Sequence, residues 1–98
     1  MARRSQLRIY TLQPATAEEF VQKFRAEIAP LRARYGFSID SAVLTEDRTR
    51  FVWITSHDSP DGWEAAERTY YESPERAALG FDPGDYILEH DIAMVDPV

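Results

Sequence analysis

The run of residues 50–57, RFVWITSH, constrains the fold of this chain more than any other stretch. Residues 51–55 are all β-branched or aromatic, and such side chains fit a pleated sheet. Because successive side chains of a strand point to opposite faces, the run divides into two sets. One set holds Phe51, Trp53, Thr55 and His57, and the other holds Val52, Ile54 and Ser56. Both sets begin apolar, which is typical of a strand covered on both sides. The sequence leaves open which set faces the protein's own helices.

Three more segments have strand-like patterns: residues 7–12, 37–45 and 86–95. Pro14 ends the first, because proline has no N–H to give to a strand ladder. The second is more polar than residues 50–57, as expected at a sheet edge. Only the polar residues 46–49 separate it from residues 50–57. A link that short cannot cross over a sheet, so these two strands should form an antiparallel hairpin.

Two helical regions lie between the strands. Thr16 and Glu19 have the spacing of a capping box, and a row at helical spacing follows it. That row is Phe20, Phe24, Ile28, Leu31 and Tyr35. Pro30 interrupts it, so we predict a kinked helix that ends at Tyr35, before Gly36. Ser59 and Pro60 predict the start of the second helix, and residues 74–79 should form a third, short one.

The order of these elements predicts an α+β, ferredoxin-like βαββαβ fold. Right-handed crossovers then give a four-stranded antiparallel sheet in the order 4-1-3-2. We expect residues 1–98 to form a single domain, with its core at about residues 7–95. Two helices cover only one face of such a sheet, and the other face still carries large apolar side chains. A patch of this kind usually marks a partner surface, and the simplest partner is a second copy in a homodimer packed sheet to sheet.

Charge and composition argue against several classes of function. The net charge of −6 argues against a nucleic-acid surface. No apolar run approaches the ~20 residues of a membrane span, and a signal-peptide core is missing. The absence of cysteine excludes disulfides and thiolate metal sites and fits a cytoplasmic protein. The sequence contains no glycine-rich fingerprint for flavin or nicotinamide binding, so we predict no cofactor.

Four segments resemble the NIPSNAP-type domain of the dimeric α/β-barrel superfamily. They are LRIYTLQPATAEEF, FRAEIAPLRARYGF, VLTEDRTRFVWI and YYESPE. The resemblance implies a dimeric α/β barrel that holds a small molecule between sheet and helices. Related barrels include antibiotic-biosynthesis and haem-degrading monooxygenases, lactone isomerases and stress-responsive proteins. The haem-degrading relatives are expected to use an Asn, a Trp and a His, and this chain has no asparagine, which counts against haem degradation.

Two histidines are the candidate catalytic residues. His57 at the end of its strand is either a general acid or base or a histidine that faces water at the rim. His90 lies in the middle of the last strand and points into a pocket or into the dimer interface. A metal site needs three or four converging ligands, so we predict none.

Six residues are candidates for binding a ligand: Arg8, Tyr10, Phe24, Trp53, Trp63 and Tyr70. Arg8 should be buried, and it either binds an anionic group such as a substrate carboxylate or pairs with Asp40 or another acid. The aromatic residues either line a pocket or form plain core. Tyr70 and Tyr71 lie about 100° apart on a helix, so we expect one of them to face a cavity mouth or a partner.

Three functions fit these patterns. The first is a homodimer that binds a small apolar or aromatic molecule between sheet and helices. The second is a cofactor-independent monooxygenase or isomerase that acts on a polyketide-like aromatic, with His57 or His90 as the base. The third is a structural or regulatory interaction domain without catalysis.

Overall fold

The computed structural model describes residues 3–98 and contains four strands and four α-helices. The strands are β1 (Arg4–Leu12), β2 (Ser38–Leu44), β3 (Arg50–His57) and β4 (Ile87–Val95). The helices are α1 (Pro14–Lys23), α2 (Ala29–Arg34), α3 (Trp63–Tyr71) and α4 (Pro74–Ala77). A π-helical turn, Phe24–Ile28, joins α1 to α2, and a 3-10 turn, Pro83–Asp85, precedes β4.

The sheet confirms the predicted topology. Its order is β2-β3-β1-β4, which is 4-1-3-2 read from the other edge, and all three pairings are antiparallel. β3 is an interior strand, as its two apolar faces predict. In the register of the sheet, Arg8 on β1 lies between Trp53 on β3 and Ile92 on β4.

The two faces of β3 are covered differently. Phe51 and Trp53 are buried in one cluster with Phe20, Phe24 and Ile28 from the first helical region. The set that contains Trp53 therefore faces the helices. Val52 and Ile54 are half-buried on the opposite face. That open face also carries Leu7, Ile9 and Val43, and Val43 is 55% exposed.

The first helical region differs from the prediction at its start and at its kink. α1 begins at Pro14, which is preorganised for the first helical position, so Thr16 and Glu19 lie inside the helix and form no cap. The kink is a π-helical turn directly before Pro30, in which the Ala29 N–H bonds to the Phe24 carbonyl. Such a turn accommodates a residue that has no N–H to offer. Gly36 follows α2 with φ +89°, as the predicted stop requires.

The second helical region begins later than predicted. Ser59–Asp61 form a turn, closed by a bond from the Gly62 N–H to the Ser59 carbonyl, and α3 begins at Trp63. Gly62 has φ +94°, a conformation that favours glycine and separates the turn from the helix. The short helix α4 is capped by Ser73, whose Oγ accepts a bond from the Arg76 N–H at 3.1 Å. It ends at Ala77, two residues earlier than predicted.

Candidate functional site

A cavity of about 400 Å³ lies between the helices and the half of the sheet formed by β1 and β4. It exists because the helices cover β1 and β3 but leave β4 open. Ile92 is on the helix side of β4 and is still 43% exposed. Ile92 and His90 form one wall of the cavity. The opposite walls are aromatic: Tyr10, Phe20, Phe24, Trp53, Tyr70 and Tyr71.

Two buried arginines and one glutamate lie beside this cavity. Arg8 Nη2 is 2.9 Å from Glu67 Oε1, and Arg32 Nη1 is 3.1 Å from Glu67 Oε2. Their side chains are 7% and 1% exposed, and that of Glu67 is 18% exposed. Arginines are almost never fully buried without a partner, and here two of them share one carboxylate. The trio therefore keeps one net positive charge.

Aromatic rings surround the Arg32 guanidinium. Its Cζ lies 4.5 Å from the ring centroid of Tyr70, 4.8 Å from Phe37, 5.2 Å from Trp53 and 5.5 Å from Tyr71. Each contact is within the range of a cation–π interaction. These rings stabilise a charge that burial disfavours, and they fix its position in the cavity wall.

The hydroxyls of Tyr10 and Tyr71 lie beside Arg8 and Arg32, and these four side chains together form a polar corner of the cavity. Tyr71 Oη accepts bonds from Arg8 Nη1 at 3.2 Å and from Arg32 Nη2 at 2.9 Å. Tyr10 Oη accepts from Arg8 Nη1 at 3.1 Å. Since a guanidinium can only donate, each phenol oxygen acts as an acceptor and keeps its own O–H free to donate. Among residues 3–98 neither O–H has an acceptor.

Arg8 and Tyr70 have shifted pKa values. Burial disfavours the charged form of Arg8, but the Tyr10 and Tyr71 hydroxyls and the Glu67 carboxylate outweigh it and raise the pKa of Arg8. Burial raises the pKa of the Tyr70 phenol, against the opposing effect of Arg32 and Arg76. At neutral pH this part of the cavity therefore holds a charged Arg8 and a neutral Tyr70.

Five of the six predicted ligand-binding residues line this cavity, namely Arg8, Tyr10, Phe24, Trp53 and Tyr70. Arg8 pairs with Glu67 rather than with Asp40, which accepts bonds from Arg3 and Ser38 instead. Trp63 lies outside the cavity. At the first position of α3 it packs in a second cluster with Leu31 and Phe37, and it lines a separate depression together with Gln6 and Glu67.

His57 also lies outside the cavity, on the helix side of the sheet. Its Nε2 is 2.9 Å from the Tyr35 carbonyl, and its Nδ1 accepts a bond of 2.9 Å from the Ser59 N–H. This pattern requires the neutral tautomer with the proton on Nε2. Both nitrogens are thus bonded to the backbone, and His57 links the end of α2 to the turn before α3. His90, in contrast, is exposed and lines the cavity.

The sequence reasoning did not identify Arg32, Glu67 and Arg76 as parts of this site. A signal for two of them was present. Arg32 continues the four-residue spacing of Phe20, Phe24 and Ile28, and Glu67 lies midway between Trp63 and Tyr71. A charged residue in phase with an apolar row is placed on the buried side of its helix, where it needs a partner.

The fold is similar to that of several solved structures. An uncharacterized NIPSNAP-like domain protein from Burkholderia xenovorans matches at a TM-score of 0.79 with 20% identity, over 98% of this chain and 85% of that one. A NIPSNAP family protein from Agrobacterium tumefaciens matches at 0.82 with 14% identity, over 99% and 94%. A protein from Nitrosomonas europaea, described provisionally as an antibiotic biosynthesis monooxygenase, matches at 0.72 with 13% identity, over 98% and 90%.

These likenesses confirm a NIPSNAP-like fold, which the antibiotic-biosynthesis-type structures share, as the resemblance in sequence implies. At such identities they establish the fold alone. No protein-family model matches the sequence, and a search of curated proteins finds no significant match. Within residues 3–98 no helix is long and apolar enough to cross a membrane.

Proposed function

We propose that the protein binds a small apolar or aromatic molecule in the cavity between its sheet and helices. The observation that carries the proposal is the cavity itself. Its volume of about 400 Å³ is within the range of small-molecule sites, and six aromatic side chains line it. A core filled by Phe24, Trp53 and Tyr70 would have left no such space. The few polar groups converge at one corner, which is the usual design of a pocket that orients its ligand.

Titration with the neutral fluorophore N-phenyl-1-naphthylamine tests this proposal. We expect its fluorescence to rise on binding to the wild type. Ile92→Trp should abolish the rise, because the indole would fill the cavity from the exposed wall. Leu88→Trp is the matched control, since Leu88 is another exposed apolar residue of β4 and does not line the cavity. The proposal fails if the wild type does not bind the probe, or if Ile92→Trp binds it as well as Leu88→Trp does.

The proposal includes a homodimer formed through the open face of the sheet. Leu7, Ile9, Val52 and Ile54 are only half-buried there, so the face keeps an apolar surface that a second copy would cover. Sedimentation velocity at micromolar concentration should give a dimer for the wild type and a folded monomer for Ile54→Lys. Gln22→Lys, on the exposed side of α1, should stay dimeric. A monomeric wild type would remove this part of the proposal.

The enzymatic alternative, a cofactor-independent monooxygenase or isomerase, depends on His90. His57 has both nitrogens bonded to backbone atoms, and two arginines hold Glu67, so neither is free to act as a base in the cavity. Mass spectrometry of aromatic compounds incubated with the protein would show a product that His90→Gln no longer forms.

The cytoplasmic location expected from the cysteine-free sequence stays a prediction.

A further inference from the structure

We infer that the cavity selects an anion, and that its ligand is an aromatic or apolar monocarboxylate whose acid group binds at the corner formed by Arg8, Arg32 and Tyr71. This inference rests on the proposed ligand-binding function and names the class of ligand. It follows from the charges around the cavity, from the direction of the hydrogen bonds at the corner, and from the walls.

The charges around the cavity do not balance. Its lining includes three arginines, Arg8, Arg32 and Arg76, and within residues 3–98 no carboxylate lines it. The one carboxylate that pairs with the buried arginines is Glu67, which faces the neighbouring depression. An ion pair that only stabilises the fold requires one arginine for one glutamate, because each extra buried charge costs free energy. The second buried arginine leaves one positive charge in the buried trio, which a single carboxylate neutralises, and the half-buried Arg76 adds a further positive charge to the wall.

Two hydroxyl donors at the corner have no acceptor within the described part of the chain. The O–H groups of Tyr10 and Tyr71 are left over as donors because their oxygens already accept from arginine. Buried polar groups are normally satisfied in a complete structure. A ligand carboxylate, which offers only acceptor oxygens, would accept from both hydroxyls, whereas a ligand group that only donates would not.

The corner is accessible from solvent, and the apolar walls beyond it indicate the shape and polarity of the rest of the ligand. Tyr71 is 43% exposed and bridges both guanidiniums, so an acid group can reach it from solvent. Its ring lies between two arginines, with Arg32 Cζ at 5.5 Å and Arg76 Cζ at 5.3 Å from its centroid. Beyond the corner the cavity is lined by Phe20, Phe24 and Ile28. A flat apolar body attached to one carboxylate matches this division between a cationic corner and apolar walls.

Calorimetric titration with 2-naphthoate and 2-naphthamide tests the inference, because the two probes have nearly the same shape and differ in charge. The wild type should bind 2-naphthoate about tenfold more tightly or better, the difference expected for charge-assisted hydrogen bonds. Tyr71→Phe keeps the ring and should weaken 2-naphthoate severalfold with little effect on 2-naphthamide. Arg32→Gln should remove the preference, and Arg34→Gln, an exposed arginine of the same helix, should keep it.

The outcomes separate the two levels of the argument. Equal binding of 2-naphthoate and 2-naphthamide would overturn the anion inference and leave the proposed function standing. Binding of neither probe, together with no binding of the neutral fluorophore, would overturn both. Tighter binding of 2-naphthyl phosphate than of 2-naphthoate would replace the carboxylate by a phosphate monoester. If Arg32→Gln does not fold, Tyr71→Phe and the pair of probes still decide.

Discussion

Replacing Glu67 by glutamine removes the carboxylate that the two buried arginines share, so it tests the electrostatic account of the site directly. Glu67 Oε1 and Oε2 lie 2.9 and 3.1 Å from the nitrogens of Arg8 and Arg32. Removing one partner of a buried ion pair costs about 3–5 kcal/mol. Glu67 is 18% exposed, and glutamine keeps one acceptor oxygen. Both facts lower the expected loss in free energy of unfolding to about 2–3 kcal/mol.

Urea denaturation at one fixed protein concentration measures this loss, because any dimer would make the apparent stability depend on concentration. With a slope of ~1–3 kcal/mol per molar urea, the midpoint of Glu67→Gln should fall by about 0.7–3 M. Glu64→Gln, an exposed residue in the first turn of the same helix, should stay within about 0.5 kcal/mol of the wild type. The electrostatic account is refuted if the two variants are equally stable.

Two further predictions concern the glycine that follows α2 and the hairpin turn. Gly36→Ala should destabilise the protein by about 1–3 kcal/mol, because φ is +89° and the new Cβ would lie 2.8 Å from His57 Nε2. Gly80→Ala is the control in the same denaturation assay, and an equal effect of both changes would contradict the strain argument. Hydrogen bonds from Thr49 and Thr45 lower the pKa of Asp47 from 3.8 to about 2. Because the pKa of Asp47 is lower in the folded than in the unfolded state, these bonds stabilise the protein fully above pH 3.8. The stabilisation disappears as the pH falls from 3.8 through 2. A carboxyl NMR titration of the folded protein measures this pKa, and a midpoint near 3.8 would disprove the prediction.

The sequence predicted the sheet well because the sheet depends on local patterns and simple topology. The alternating run at residues 50–57 and the short polar turn before it already require an interior strand in a hairpin. Helix starts were less predictable. Pro14 and Pro60 carry the same signal, yet Pro14 begins a helix and Pro60 lies in a turn. The difference comes from Gly62, whose positive φ interrupts the chain before Trp63.

The site was only half predictable for a different physical reason. Arg8 and the aromatic residues stood out because each lies on a face that must be buried. Arg32 and Glu67 are in phase with apolar rows on two separate helices, which indicates that each is buried but does not identify its partner. Their burial becomes favourable only when α2, α3 and β1 bring them together with Arg8. Such a tertiary arrangement has no signature in one segment of sequence.

A last prediction separates a functional role for the charged trio from a structural one. Buried ion pairs and triads can often be replaced by apolar residues of similar size with no loss of stability, because the desolvation of the charges is then avoided. If the trio serves a ligand, the triple variant Arg8→Met, Arg32→Met and Glu67→Leu should keep its stability. Its free energy of unfolding should be at most about 1 kcal/mol lower than that of the wild type, or higher. The same protein should bind 2-naphthamide and lose its preference for 2-naphthoate. If instead the triple variant loses more than about 3 kcal/mol, the trio holds α2 and α3 on the sheet, and its charge is explained by stability alone.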